Sequence, residues 1–494
     1  MSLDYLWTGF GVALQWHNLL LGLLGCFLGT VVGALPAIGP INGIALLLPL
    51  SYTLGVPAES TMILLAGVYY GAEYGGRISS ILLNVPGDAG AVMTALDGNP
   101  MARQGRGAEA LALSGIASFV GGLLSVLGLT FFAPLLGQLA IGFGPAEYFV
   151  LMVFAFTTLT SMVGDEPIKT MIGAAIGLAL TTIGLDPTSG AYRFTFDEPE
   201  LHDGIEFIIL VIGLFSISEV LLLLERQHHG HLQAIAIGRG FPSWATLKSC
   251  VGSMLRASGI GFVIGVLPGT GASVASAVSY TTEKRLLDRG TFGKGDPRGL
   301  AAPEAANNAA AGGAFVPMLT LGVPGSGTTA VMLGALLLYN IQPGPQLFTE
   351  RPQIAGGLIA SMYIGNLLLL LMNLPMVQIF VRMLLLPNWI LLPGILTLAF
   401  LGVYSTYAST LSIMLMLGIG VIGYLARKLG FDLAPIILGF VLGKVMETNL
   451  RNALAISGGE LGIFFESTIS LTLWASAVLV VVAPALLRRA AADP

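Results

Sequence analysis

The residues in this sequence best placed to do chemistry are backbone groups rather than reactive side chains. Two stretches, "VVGALPAIG" at 31–39 and "VIGVLPGTG" at 263–271, share Val, Gly, Leu, Pro and the final Gly in one register. A second proline–glycine pair follows each, Pro86 in "LNVPGDAGAVM" and Pro324 in "LGVPGSGTTAVM", fifty and fifty-six residues after Pro36 and Pro268. Proline inside a helix removes a backbone donor and glycine raises the cost of ordering, so each motif predicts an opened helix. Opened helices turn N–H groups and positive dipole ends into a cavity, which binds anions without any permanent charge. Carboxylate oxygens suit such donors. The predicted binding residues are Pro36, Ala37, Gly39 and Asn42 at the first break and Asn84, Pro86 and Gly87 at the second. At the third they are Gly269, Thr270, Gly271 and Ser273, and at the fourth Pro324, Gly325, Ser326, Gly327 and Thr328, with Thr329 beside them. The competing reading is a set of structural kinks, kept through duplication, that never touch a ligand.

A few polar residues near the breaks have candidate roles in coupling or in supporting the binding groups. Asp88 is the one acid within a break; it is a coupling group, an acceptor behind the binding groups, or a residue near the membrane surface. Glu73 and Arg77 stand four apart on an apolar segment, which predicts one helical face and an ion pair. The comparable region of the second half, "PEAANNAAAGG", offers polarity without charge at Asn307 and Asn308. Oxygen groups at the C-terminal ends of the broken helices suit Na⁺.

The elements that position these residues follow from composition. The chain has 494 residues, 55% hydrophobic and 10% charged, with a mean hydropathy of +0.84, whereas roughly a quarter of an average soluble domain is charged. Charge-free runs from Tyr5 to Ala58, Ala305 to Thr349 and Met383 to Ala426 each exceed the ~20 residues that cross a bilayer. The fold class expected is an all-α polytopic membrane protein with about ten to twelve crossings. No secretory signal is expected, because "MSLDYLW" lacks a basic n-region. Cys26 and Cys250 predict neither a disulfide framework nor a metal site.

Charge sorting predicts the orientation. Residues 186–206 hold six acids and one arginine, whereas 225–256 carry Arg226, Arg239, Lys248 and Arg256 with His228, His229 and His231. Basic loops favour the cytoplasm, so the acidic loop faces outward across a span at about Phe207 to Leu224. The loop from Glu283 to Arg298 also reads as cytoplasmic. Residues 257–282 start and end beside basic loops, which predicts a re-entrant hairpin turning at Leu267 to Gly271; a single kinked span is the alternative. The "HHGH" histidines read as solvated loop. "ALDGNPMARQGRG", with Asp97, Arg103 and Arg106, reads as a topology-setting turn or a gate.

Matched breaks at matched spacings predict two sequence-related halves, 15–225 and 250–485, joined by a basic linker at 226–249. Such pairing marks transporter sites between repeats. No Walker motif, paired acids or HExxH spacing appears in the spans, so neither ATP-driven transport nor an intramembrane enzyme is expected, and no organic cofactor.

The run "YGGRISSILLNVPGDAGAVMTALDGNPMARQGRGAEALALSG" from Tyr74 to Gly115, with "GALPAIGPINGIALLLPL" and "GVLPGTGASVASAVSYTTEKR", resembles the large membrane subunit of tripartite tricarboxylate transporters over nearly the whole chain. The resemblance implies a secondary carboxylate transporter of the bacterial inner membrane. It also implies a small four-helix membrane subunit, a periplasmic binding protein and a Na⁺ or H⁺ gradient as the driving force. An elevator-like movement of a hairpin-bearing domain is the analogous mechanism. The sequence departs from the family pattern at Arg77, where a small hydroxyl residue is common; a guanidinium there either pairs with Glu73 or meets substrate. Against ion-coupled uptake of di- or tricarboxylates such as citrate stand two alternatives, a non-transporting scaffold subunit and a stand-alone organic-anion transporter.

Overall fold

The structure, a computed structural model, describes residues 4–35, 38–162, 166–186, 188–226, 237, 240–383 and 388–492. Pro36, Ala37 and the "HHGH" histidines, with half of the predicted linker, lie outside them. The chain is an all-α polytopic membrane protein. Among the described residues seven helices are long and apolar enough to cross a membrane, and Pro145–Thr160, Pro167–Leu180, Gly327–Leu338 and Thr468–Val482 are shorter apolar helices. The only β structure described is a two-stranded hairpin, Gly184–Leu185 with Tyr192–Arg193, at the start of the acidic segment.

Around each first break the helices pack through glycine. Helix Trp16–Ala34 lies on helix Ala58–Leu83 so closely that a methyl built on Gly29 or Gly33 would stand 2.3 Å from the Val68 carbonyl oxygen or 2.0 Å from that of Ala72. Helix Trp244–Val266 lies on helix Pro297–Gly313 in the same way, with Gly261 and Gly265 each 2.3 Å from the Ala306 and Ala310 oxygens by that measure. Lipid tails are as apolar as the helices, so backbone proximity through small residues supplies the association energy. These glycines precede Pro36 and Pro268 by the same intervals, seven and three residues.

The second breaks also correspond. Helix Ala58–Leu83 ends on Asn84 and helix Phe315–Leu321 on Gly322, both in the left-handed region at φ 57° and 67°, two residues before Pro86 and Pro324. Gly87 and Gly325 then sit against the end of the first-break helix. An added methyl would approach the Gly33 oxygen to 2.1 Å and the Gly265 oxygen to 2.8 Å. Each second break is thus seated on its first break, and a larger residue would force them apart.

The stretch around Leu267 forms a helical hairpin. Helix Trp244–Val266 turns at Leu267 to Thr270 into helix Gly271–Leu287, and the open end is clasped by Arg256, whose Nη2 lies 2.7 Å from Glu283 Oε2. Ser253 donates to the same oxygen at 2.6 Å. The arms run beyond the expected 257–282, because Lys248 and Arg256 lie on the helix and not in a loop. A second difference concerns "ALDGNPMARQGRG". In place of a loop, helices Val92–Met101 and Gly107–Ala140 meet at a kink in the stretch Ala102–Arg106, where Gly105 stands at φ 80°. Cys26 and Cys250 are both free and buried.

Candidate functional site

Segments from all four breaks line one cavity of about 540 Å³. The first break contributes Ile38 to Asn42, the second Pro86 to Gly90, the third Gly269 to Ser273 and the fourth Ser326 to Thr328. Of the predicted binding residues, Gly39, Asn42, Pro86, Gly87, Gly269, Thr270, Gly271, Ser273, Ser326, Gly327 and Thr328 reach the cavity, as do Asp88 and Glu73. Pro36 and Ala37 fall outside the described residues.

Five expectations need correction. Asn84 faces a separate surface depression with Asn99, Arg103 and Lys294, because its left-handed backbone turns it away from the helix axis. Pro324 and Gly325 are buried behind the cavity, Gly325 against Ala314. The Glu73–Arg77 ion pair does not form. Arg77 is buried and points the other way, donating through Nη1 to the Leu111 carbonyl at 2.6 Å and Ser114 Oγ at 2.9 Å, and lying over the Tyr74 ring. It therefore has no access to a ligand in the cavity, and the expected departure at this position is a packing feature. Asn308 donates to the Glu304 carbonyl within its own helix. The "PEAANN" region is not uncharged either, since Glu304 is fully buried there and accepts from Thr94 and, at 2.9 Å, from Ser118.

The second-half wall offers donors. Helix Gly271–Leu287 begins at the cavity with no side chain capping its first turn, so the N–H groups at its start have no intrahelical partner. Thr270 does not cap it; its hydroxyl donates back to the Ile264 carbonyl at 2.6 Å and fixes the break. Pro268 is held by Thr158, whose hydroxyl donates to its carbonyl at 2.7 Å. Helix Gly327–Leu338 begins in a capping box in which Ser326 Oγ accepts from Thr329 N and the Thr329 hydroxyl accepts from Ser326 N. No acid sits at either break.

The first-half wall is richer in acceptors. Asp88 Oδ1 accepts from Ala91 N at 3.0 Å, while its buried Oδ2 has no hydrogen-bond partner among the described residues. Glu73 Oε2 accepts from Asn307 Nδ2 at 2.8 Å, which joins a helix of one half to a helix of the other. Tyr69, one turn before Glu73, lies 3.3 Å from Ser326 Oγ and makes a second such link.

Several lining residues were not anticipated. Arg427, Phe431, Asp432, Leu433 and Ala434 come from the turn between helices Thr410–Lys428 and Ala434–Ile456, with Leu159 and Phe215 beside them. Arg427 is tied to buried Glu219 and stands over the Phe215 ring. For Phe431 to Ala434 a signal was present in "GFDLAP", a further Gly/Pro-flanked interruption that follows a charge-free run. Tyr69 was legible as the i−4 neighbour of Glu73 on one helical face.

A family model described as "Tripartite tricarboxylate transporter TctA family" matches residues 19–438. The chain is 39% identical over 475 residues, 96% of its own length and 94% of the relative's, to an uncharacterized 52.8 kDa protein in the TAR-I ttuC' 3' region of Agrobacterium vitis. It is 42% identical over 214 residues, 43% of its length and 88% of the relative's, to an uncharacterized protein in the TAR-II ttuC' 3' region of the same organism. No solved structure matches the chain.

Proposed function

Because the chain belongs to the tripartite tricarboxylate transporter TctA family, we propose that it is the large membrane subunit of an ion-coupled secondary transporter that imports small di- or tricarboxylates, such as citrate, across the bacterial inner membrane. A periplasmic binding protein delivers the substrate, and a small four-helix membrane subunit completes the system. One observation carries the reading: four matched helix breaks open onto one cavity of about 540 Å³, a size within the roughly 300–1,000 Å³ usual for small-molecule sites.

The substrate carboxylate sits against the start of helix Gly271–Leu287 and the Ser326–Thr328 segment. There, N–H groups and two helix dipoles face negative charge without a desolvated cation. Arg427, ion-paired with Glu219, also lines the cavity. The need for a coupling cation follows from charge. Glu73, Asp88 and Asp432 line the cavity against that one arginine, so a multiply charged anion entering alone would meet carboxylates in a poorly solvated space. A co-transported Na⁺ or H⁺ removes the conflict and lets an ion gradient drive uptake.

Proteoliposomes test this. Uptake of labelled citrate or a dicarboxylate is expected to require both a cation gradient and the binding protein. Equal uptake after every gradient is dissipated contradicts coupled transport, and no uptake under any gradient favours a scaffold role.

A further inference from the structure

The acceptors on the first-half wall outnumber the donors that meet them. Asn42 Nδ2 donates to the Ile38 carbonyl and Asn307 Nδ2 to Glu73 Oε2. The Ile38 carbonyl carries no hydrogen, nor does Glu73 Oε2 with that carboxyl ionised, and against such acceptors each amide turns its oxygen away. Asn42 Oδ1 and Asn307 Oδ1 are buried and, like Asp88 Oδ2, have no hydrogen-bond partner among the described residues. A buried acceptor without a donor costs about 1–3 kcal/mol, and three of them, Asn42 and Asp88 on the cavity wall and Asn307 reaching toward it from a second-half helix, call for an explanation.

These oxygens are grouped. A methyl built on Gly90 would stand 2.1 Å from Asn307 Oδ1 and 3.0 Å from Asp88 Oδ1, so the two side chains flank that glycine. Asp88 Oδ2 lies over the backbone of Gly76, 2.2 Å from a methyl built there, one turn along the helix from Glu73. Gly39, one turn before Asn42 on its helix, has Asp88 Cβ as its neighbour. Glu73 is itself 4% exposed and Asn307 fully buried. A proton on one carboxylate would supply a single donor to this set. A monovalent metal ion with hard oxygen ligands satisfies several acceptors at once.

We propose that Glu73, Asp88 and the carboxamide oxygens of Asn42 and Asn307 form a sodium site on the first-half wall of the cavity, facing the anion-binding helix termini of the second half. This rests on the transport reading above and names where its coupling ion binds. The two ligands then neutralise each other across one cavity, and Asn307, which reaches Glu73 from a second-half helix, makes the site sensitive to how the halves are arranged.

The test uses the full chain in lipid nanodiscs without substrate. Wild type is expected to bind radiolabelled sodium saturably and to melt higher in sodium than in potassium or choline at equal ionic strength. D88N and N307A are each expected to weaken apparent sodium affinity on the order of tenfold or more. The wild-type cation series needs no variant, so a folding defect in either one leaves the proposal exposed to refutation. Wild-type melting indifferent to sodium, or unchanged affinity in both variants, overturns the site. Carboxylate uptake driven by protons alone with no sodium binding overturns the site and leaves the transport reading standing. Sodium binding with no carboxylate uptake does the reverse.

Discussion

The two pairs of helix breaks share a backbone plan and differ in what they present. In both halves a glycine-packed helix stops at Leu-Pro, and a second helix stops in the left-handed region before Val-Pro-Gly. The second break then rests on the end of the first. Yet the second-half pair ties the Ser326, Thr329 and Thr270 hydroxyls into its own breaks, through the Ser326–Thr329 box and the Thr270 bond to Ile264, and leaves the start of helix Gly271–Leu287 uncapped at the cavity. The first-half pair carries Asp88, with Glu73 beside it, and leaves oxygens without partners. On the reading proposed above, one backbone plan presents two electrostatic signs, one to an anion and the other to a cation.

The sharpest way to break this comparison is to fill the donor side. Gly271 lines the cavity, and a methyl built on it meets nothing within 4 Å. Gly271→Leu is therefore expected to abolish uptake, with a loss of folded protein limited to the strain of a side chain at its φ of 66°. Gly325→Leu is the contrast, because that position is pressed against Ala314 and the Gly265 oxygen; it should lower the amount of folded protein. Equal behaviour of the two variants would remove the distinction between lining and packing glycines.

A second prediction concerns what joins the halves away from the cavity. Buried Asp97 accepts from the backbone N–H groups of Gly293, Gly295 and Asp296 at 2.8–2.9 Å and from the Tyr280 hydroxyl at 3.0 Å. Asp97→Asn replaces one acceptor oxygen with a donor and weakens these charge-assisted bonds, with an expected loss of about 2 kcal/mol. A lowered melting temperature checks it; an unchanged one would reduce the clasp to a passive contact.

Smaller effects sharpen the picture. Ser326→Ala removes the cap of helix Gly327–Leu338, a change expected to cost about 1 kcal/mol and, because Ser326 lines the cavity, to raise the KM for substrate as well as lower thermal stability. A stability loss with KM untouched would make the cap structural only. The smallest effect is at the acidic hairpin. The Thr188 and Ser189 N–H groups, with Arg451 and Arg193 nearby, hold the Asp186 carboxyl below the usual carboxylate range. A carboxyl depressed in the folded state stabilises above its unfolded value of about 3.9 and loses that contribution as pH falls through the folded one. Hydrogen exchange across 184–193 should thus be flat in its pH-corrected protection from neutral pH to about 5 and rise only in stronger acid. A change centred near neutrality would contradict this.

Much of the fold was legible because its causes are local. Charge-free length predicts membrane helices, and the breaks fall where a Pro is combined with Gly, as at 267–271 and 323–327, but not at every Pro: Pro49, Pro375 and Pro393 stay inside helices. The hairpin at Leu267 followed from basic residues at both its ends. What sequence could not supply was direction around the helix axis. Glu73 and Arg77 satisfy the spacing for a pair, yet the helix is buried on every side, so each finds a different neighbour, Asn307 for one and Ser114 for the other. Spacing predicts a shared face only where solvent leaves that face free. Arg427 was hidden for another reason: its approach to the cavity depends on how helix Thr410–Lys428 packs against distant segments, which no motif encodes.

The account stands most directly on where a carboxylate binds. An experimental structure of the full chain with citrate and sodium is predicted to place a carboxylate against residues 270–273 and 326–328, with sodium between Asp88 and Asn307. Density for the acid elsewhere, with that cavity closed or filled by side chains, would contradict it.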